Sequence, residues 1–254
     1  MPFIDMQRKR YYYEAKLPAD RDPKHIIVFI HGAGGNHMHW TYQLESLGKE
    51  HLAIAVDLPG HGQSQGNSAD MISEYVDFLH TFSEHLIGSP FILAGHSMGG
   101  AIAQEFAHSF PAKLSGLVLA GTGARLKVLP AILKTFAEGN VFRELINYLY
   151  GKDAPKHLLD ITCKDMETVS PKVFFNDFTA CNNFDMLDKL TEIKTKTLIV
   201  SAGEDSLTPV RYGEYLANRI LNSEMHMIKQ AGHMMMLEQP QQFNKLISNF
   251  LAGI

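Results

Sequence analysis

The chain has 254 residues, 45% of them hydrophobic and 20% charged, with a formal net charge of −4. These proportions are those of an ordinary globular protein, long enough to bury roughly 70–75% of its unfolded surface without disulfide or metal staples. The mild acidity speaks against nucleic acid or an anionic membrane surface as partner, and two cysteines, Cys163 and Cys181, are too few for a secreted disulfide framework. No stretch approaches the ~18 apolar residues of a membrane helix, and Met1 to Lys16 lacks the apolar core of a signal peptide. The expected setting is cytoplasmic, with no membrane span.

In chain order, Tyr11-Tyr12-Tyr13-Glu14-Ala15 is aromatic enough for an opening strand or hairpin. Turn residues from Pro18 to Pro23 lead into His25-Ile26-Ile27-Val28-Phe29-Ile30, a β-branched run suited to a central strand buried on both faces. That run ends in His31-Gly32-Ala33-Gly34-Gly35-Asn36, too glycine-rich to be packing material, and a helix is expected to begin near Trp40. A second buried run, Leu52 to Asp57, breaks at Leu58-Pro59-Gly60-His61-Gly62-Gln63-Ser64. Met71 to Ile87 carries apolar residues at 72, 75, 76, 79, 82 and 86, one face of a helix.

The third run, from Phe91, enters Gly95-His96-Ser97-Met98-Gly99 directly, with Ile102, Ala103, Phe106 and Ala107 at helical spacing behind it until Pro111. Gly-x-Ser-x-Gly between a strand and a helix reads as a nucleophile elbow. The turn is so tight that the serine backbone is strained, and small residues are required two places before and after it. Leu117-Val118-Leu119-Ala120 is a fourth buried strand.

From Gly123 to about Leu190 no β run occurs. Helix-like segments start at Pro130, Pro155 and Pro171, where first-turn proline is favourable, and Val141, Phe142, Leu145, Ile146 and Leu149 form a further apolar set. Residues 124–190 are therefore expected to form an inserted helical cap on a core domain made of 1–123 and 191–254. A separate helical domain is the competing reading, and the strand rhythm that resumes afterwards argues against it.

It resumes with Thr197 to Ala202, then Gly203-Glu204-Asp205 and Thr208-Pro209, read as a helix cap and first-turn proline. Tyr212, Tyr215, Leu216 and Ile220 continue one helical face. Met225 to Ile228 is a last strand ending at Ala231-Gly232-His233, and a closing helix begins near Pro240 with Phe243, Leu246, Ile247, Phe250 and Leu251 inward. This alternation predicts an α/β fold with a mostly parallel sheet covered on both faces, whose ligands sit at the carboxyl ends of the strands.

Ser97, Asp205 and His233 fall at the ends of three predicted strands, so parallel strands put all three on one edge. A serine hydroxyl needs a base, and histidine's ordinary pKa of about 6.5 suits that task. An aspartate then fixes the imidazole's tautomer and stabilises the imidazolium. Activity is expected to fall in acid as His233 is protonated. For a developing oxyanion the expected donors are the backbone N–H groups of Met98 and Ala33; losing one such donor costs on the order of 10²–10³ in rate. A phosphate cradle at the glycine loop is disfavoured, because neither Gly-x-Gly-x-x-Gly nor Gly-x-x-x-x-Gly-Lys-Ser is there. His31, His37, His39, His61 and His96 lack metal-site spacing, so no metal is expected. Asp57 precedes a structural turn and is the likeliest impostor for Asp205.

With His31-Gly32-Ala33-Gly34, Asp57-Leu58-Pro59-Gly60-His61-Gly62-Gln63-Ser64, Gly95-His96-Ser97-Met98-Gly99-Gly100, Gly203-Glu204-Asp205 and Gly232-His233 in this order, the chain resembles the α/β-hydrolase superfamily over essentially its whole length. The resemblance implies an eight-stranded sheet, an inserted lid and a Ser-His-Asp triad without cofactor. Serine at position 97 argues against the haloalkane dehalogenase and epoxide hydrolase branches. The details look like small carboxylesterases, pimeloyl-ester methyl esterases and monoacylglycerol lipases. Carbon–carbon hydrolases are near relatives, although Gly35-Asn36 stands where Gly-Pro-Gly is common in them. Cofactor-free haloperoxidases share the triad, so perhydrolysis is implied as a side activity.

The expected function is hydrolysis of small-molecule carboxylic esters of short to medium acyl chain, by a monomer or homodimer. Gly32, Trp40 and Leu207 are expected to contact substrate. The apolar cap and Met234-Met235-Met236 suit an apolar acyl or alcohol group. The competing function is a protein that retains the triad but only holds a small ligand.

Overall fold

The computed structural model describes residues 2–254. In chain order it runs β1 (Phe3–Met6), β2 (Lys9–Lys16), β3 (Ile26–Ile30), α1 (Thr41–Leu47), β4 (Leu52–Val56), α2 (Ile72–Leu86), β5 (Phe91–His96), α3 (Met98–Ser109) and β6 (Leu114–Ala120). Then come α4 (Pro130–Ala137), α5 (Ile146–Leu149), α6 (Lys156–Thr168) and α7 (Pro171–Asn183) with no strand among them. The chain closes with β7 (Thr197–Ala202), α8 (Val210–Arg219), β8 (Ser223–Ile228), α9 (Met235–Glu238) and α10 (Pro240–Leu251).

The eight strands form one sheet in the order β1-β2-β4-β3-β5-β6-β7-β8, and only the β1–β2 and β2–β4 pairs are antiparallel. The β-branched runs become the centre: β3, β5 and β7 are buried almost throughout, because helices cover both faces. One face packs under α2 and α3 through Val28, Leu93, Ile102 and Phe106; the other packs under α1 and α10 through Phe29, Val118, Phe243 and Ile247. Among the described residues, no helix is long and apolar enough to cross a membrane.

Between β6 and β7 the chain makes the expected helical excursion, with two local differences. Pro155 precedes α6 as its cap rather than occupying the first turn, whereas Pro130 and Pro171 are first-turn residues. The apolar set at 141–149 forms no single helix, but a one-turn 3-10 segment at Arg143–Leu145 followed by the four-residue α5. Leu145 and Leu149 turn inward, Leu145 onto the small core around Phe136, Met166 and Phe174.

Candidate active site

Ser97 stands between β5 and α3 with φ 54° and ψ −116°, a conformation that a residue with a side chain adopts only under constraint. The constraint comes from both sides. The Ser97 N–H donates to the Ala120 carbonyl at 3.0 Å, and its own carbonyl accepts from Gly100 N–H at 2.9 Å and the Thr122 hydroxyl at 2.9 Å. A Cβ on Gly95 would run into the Gly99 carbonyl, and one on Gly99 into the Ile30 carbonyl. Glycine at these two places is thus a packing requirement of the turn.

His233 lies in the loop after β8, 3% exposed. Its Nδ1 donates to Asp205 Oδ2 at 2.8 Å, because a carboxylate only accepts. Asp205 accepts from four donors in all: the Leu207 and Thr208 N–H groups at 2.9 and 2.8 Å, the Thr208 hydroxyl at 2.6 Å, and His233. Burial opposes its charge, but His233 and the Thr208 bonds outweigh burial and hold its pKa well below the usual carboxylate range. Thr208 is therefore not the helix cap its Thr-Pro setting suggests; Pro209 caps α8, and the threonine side chain serves Asp205.

Ser97 and His233 line one cavity of about 70 Å³ with Gly32, Ala33, Leu207 and Met234, roofed by Leu149, Met166 and Phe174 from the excursion. A second cavity of about 320 Å³ shares Ala33, Ser97, Leu145, Phe178 and Leu207 with the first and continues along Leu126, Val128, Ile132 and Phe142. Among the described residues, neither the Ala33 nor the Met98 amide donates to a protein acceptor, while the Gly34 amide is taken by Asp177 at 2.7 Å. Met98 is wholly buried at the start of α3.

Of the expected substrate contacts, Gly32 and Leu207 reach the cavity and Trp40 does not. Trp40 is fully buried, packed on Phe29 and Phe243 beneath the sheet, because it closes the 3-10 turn His37–Trp40 with its indole inward. Met235 and Met236 are likewise core, and only Met234 reaches the cavity. Asp57 is structural: wholly buried, it accepts from His37 and from the Gln63 N–H, which shapes the turn after β4. Sequence reasoning missed Glu238, whose carboxylate accepts from Gly232 N–H at 2.8 Å and Gly151 N–H at 2.9 Å, tying the loop before His233 to the excursion. The only signal for it was an acidic residue five places after the histidine.

The model of the Alpha/beta hydrolase family matches residues 27–246. The chain is 27% identical to monoacylglycerol lipase ABHD6 of Bos taurus, over 91% of this chain and 76% of that protein. It is 28% identical to the 2-hydroxy-6-oxononadienedioate/2-hydroxy-6-oxononatrienedioate hydrolase of Escherichia coli O81 (strain ED1a), over 89% and 86% of the two chains. A solved structure described as a thermophilic esterase superposes with a TM-score of 0.86 at 28% identity, covering 99% of this chain and 96% of that one. With eight strands in this order and a family match over most of its length, the chain belongs to the alpha/beta hydrolase family.

Proposed function

We propose that the protein is a serine hydrolase of small carboxylic esters, working through an acyl-enzyme and without a cofactor. The observation that carries this reading is one cavity lined by a strained serine and by a histidine whose Nδ1 is bonded to a buried carboxylate. In the proposed mechanism His233 takes the Ser97 proton as the hydroxyl attacks the ester carbonyl, Asp205 stabilises the imidazolium, and the Ala33 and Met98 amides receive the oxyanion. His233 then returns the proton to the leaving alcohol, and water releases the acid by the same steps.

The apolar cavity of about 320 Å³ beside Ser97 supports an acyl group of short to medium length, with helices α4–α7 acting as the lid domain. The free thiols of Cys163 and Cys181 suit a reducing, cytoplasmic setting. The likeness to the Escherichia coli dioate hydrolase supports a second reading, carbon–carbon cleavage by the same residues.

A panel of p-nitrophenyl esters from acetate to decanoate, run beside a vinylogous 1,5-diketone acid and with Ser97→Ala as control, tests both. The expected result is turnover of short to medium esters that Ser97→Ala loses. Turnover of the diketone alone favours the second reading, and equal turnover by the variant removes Ser97 from the mechanism.

A further inference from the structure

The loop that carries Ala33 has almost nothing of its own to hold it. Gly32, Gly34 and Gly35 have no side chains, Gly34 sits at φ 63°, and the turn is closed by one backbone bond, from Gly35 N–H to the Gly32 carbonyl at 3.1 Å. Helix α7 grips this loop at two points one turn apart. The Phe174 ring lies where a Cβ of Gly34 would be, and the Asp177 carboxylate accepts the Gly34 N–H at 2.7 Å. That bond fixes the peptide between Ala33 and Gly34, and with it the residue whose own amide is left unclaimed.

Asp177 is wholly buried and is itself held from two further directions. His61 Nε2 donates to Oδ2 at 2.8 Å, and the Tyr75 hydroxyl donates to Oδ1 at 2.6 Å. The other ring nitrogen of His61 faces the Pro59 carbonyl at 3.1 Å. With Asp177 ionised, both partners of the ring only accept, which places a proton on each nitrogen and makes His61 an imidazolium. Its neighbour His31, with ring centroids 4.9 Å apart, has the opposite pattern: Nδ1 donates to the Gly32 carbonyl, and Nε2 accepts the Leu58 N–H. One ring is charged and the other neutral, with the positive charge placed against Asp177.

We propose that Asp177, paired with the His61 imidazolium, is a positioning residue for the oxyanion loop, so that α7 sets the rate of the chemical step as well as the room for substrate. The proposal rests on the reading that the Ala33 amide receives the oxyanion. Its competitor is a buried ion pair that merely fastens α7 to the core. Asn176, next to Asp177, separates the two: its Nδ2 donates to the Ser68 carbonyl and hydroxyl at 3.0 Å each, hydrogen-bonding the same helix to the loop before α2 rather than to residues 31–36.

Asp177→Asn keeps the shape but loses the charge and one acceptor oxygen. Its kcat on a p-nitrophenyl ester is expected to fall about 10- to 100-fold with KM within about twofold. Affinity for a trifluoromethyl ketone, which forms a tetrahedral oxyanion on Ser97, should fall by the same factor. Asn176→Ala is expected to lower the melting temperature while kcat and ketone affinity stay within about twofold of wild type. His61→Gln, which keeps a donor toward Asp177 and removes the charge, is expected to lower kcat at constant KM and carries the test if Asp177→Asn does not fold. Wild-type kcat and ketone affinity in either folded variant overturn the proposal, as does an equal loss of both in Asn176→Ala. Failure of the underlying reading looks different: Ser97→Ala then keeps full turnover, and the ketone does not bind the wild-type protein.

Discussion

Ser97 is held at a positive φ by neighbours that leave no room for a Cβ at Gly95 or Gly99. Gly95→Ala is therefore expected to cost at least about 2 kcal/mol, since the methyl meets backbone that cannot move without opening the elbow; a chemical-denaturation midpoint equal to wild type would contradict this. Trp40→Ala is expected to cost about 3–5 kcal/mol in the same measurement while leaving KM for esters unchanged, because the indole fills the core between Phe29 and Phe243. The sequence made Ser97, Asp205 and His233 legible for one reason: each is a polar residue at the end of an apolar run, and strand ends converge in a parallel sheet. Thr208 and Trp40 were misread because a Thr-Pro pair and an aromatic beside a glycine loop each have two uses. Only the third dimension separates capping from bonding a carboxylate, and core from pocket.

At the scale of elements, the strands and most helices could be read from periodicity, but the ties between α7 and the core could not. Asp177 meets His61 across 116 positions of sequence, and no local pattern marks either as the other's partner. That pair makes the hold of α7 on the core pH-dependent. Burial opposes the charge on His61, but Asp177 outweighs it and raises the imidazole's pKa. A raised folded pKa gives stability that is full below about 6.5, the unfolded histidine's value, and is lost as pH rises through the folded value. The stability difference between wild type and His61→Gln, from denaturant midpoints, is accordingly expected to shrink from pH 6 to pH 9. A difference that grows over this range would contradict the imidazolium.

For the whole molecule the buried neutral histidines act on the acid side. Burial, with the neighbouring imidazoles, pushes His31 and His96 well below the ordinary value, and burial lowers His39 to about 4. Once unfolded, these side chains take up protons below about pH 6.5, so stability is lost as pH falls from there toward 4. Asp205, whose pKa is depressed, gives stability that is present above the ordinary carboxylate value and lost only in stronger acid. Denaturant midpoints are therefore expected to decline on both sides of about pH 6.5, and a flat curve between pH 4.5 and 6.5 would contradict the acid-side account.

The central claim is that Ser97 carries the acyl group, and peptide mass mapping of protein quenched within the first turnovers of a p-nitrophenyl ester tests it most directly. The expected result is a gain of one acyl mass on the peptide containing Ser97, absent in Ser97→Ala. Steady turnover with the acyl group on another residue, or undiminished in Ser97→Ala, would contradict it.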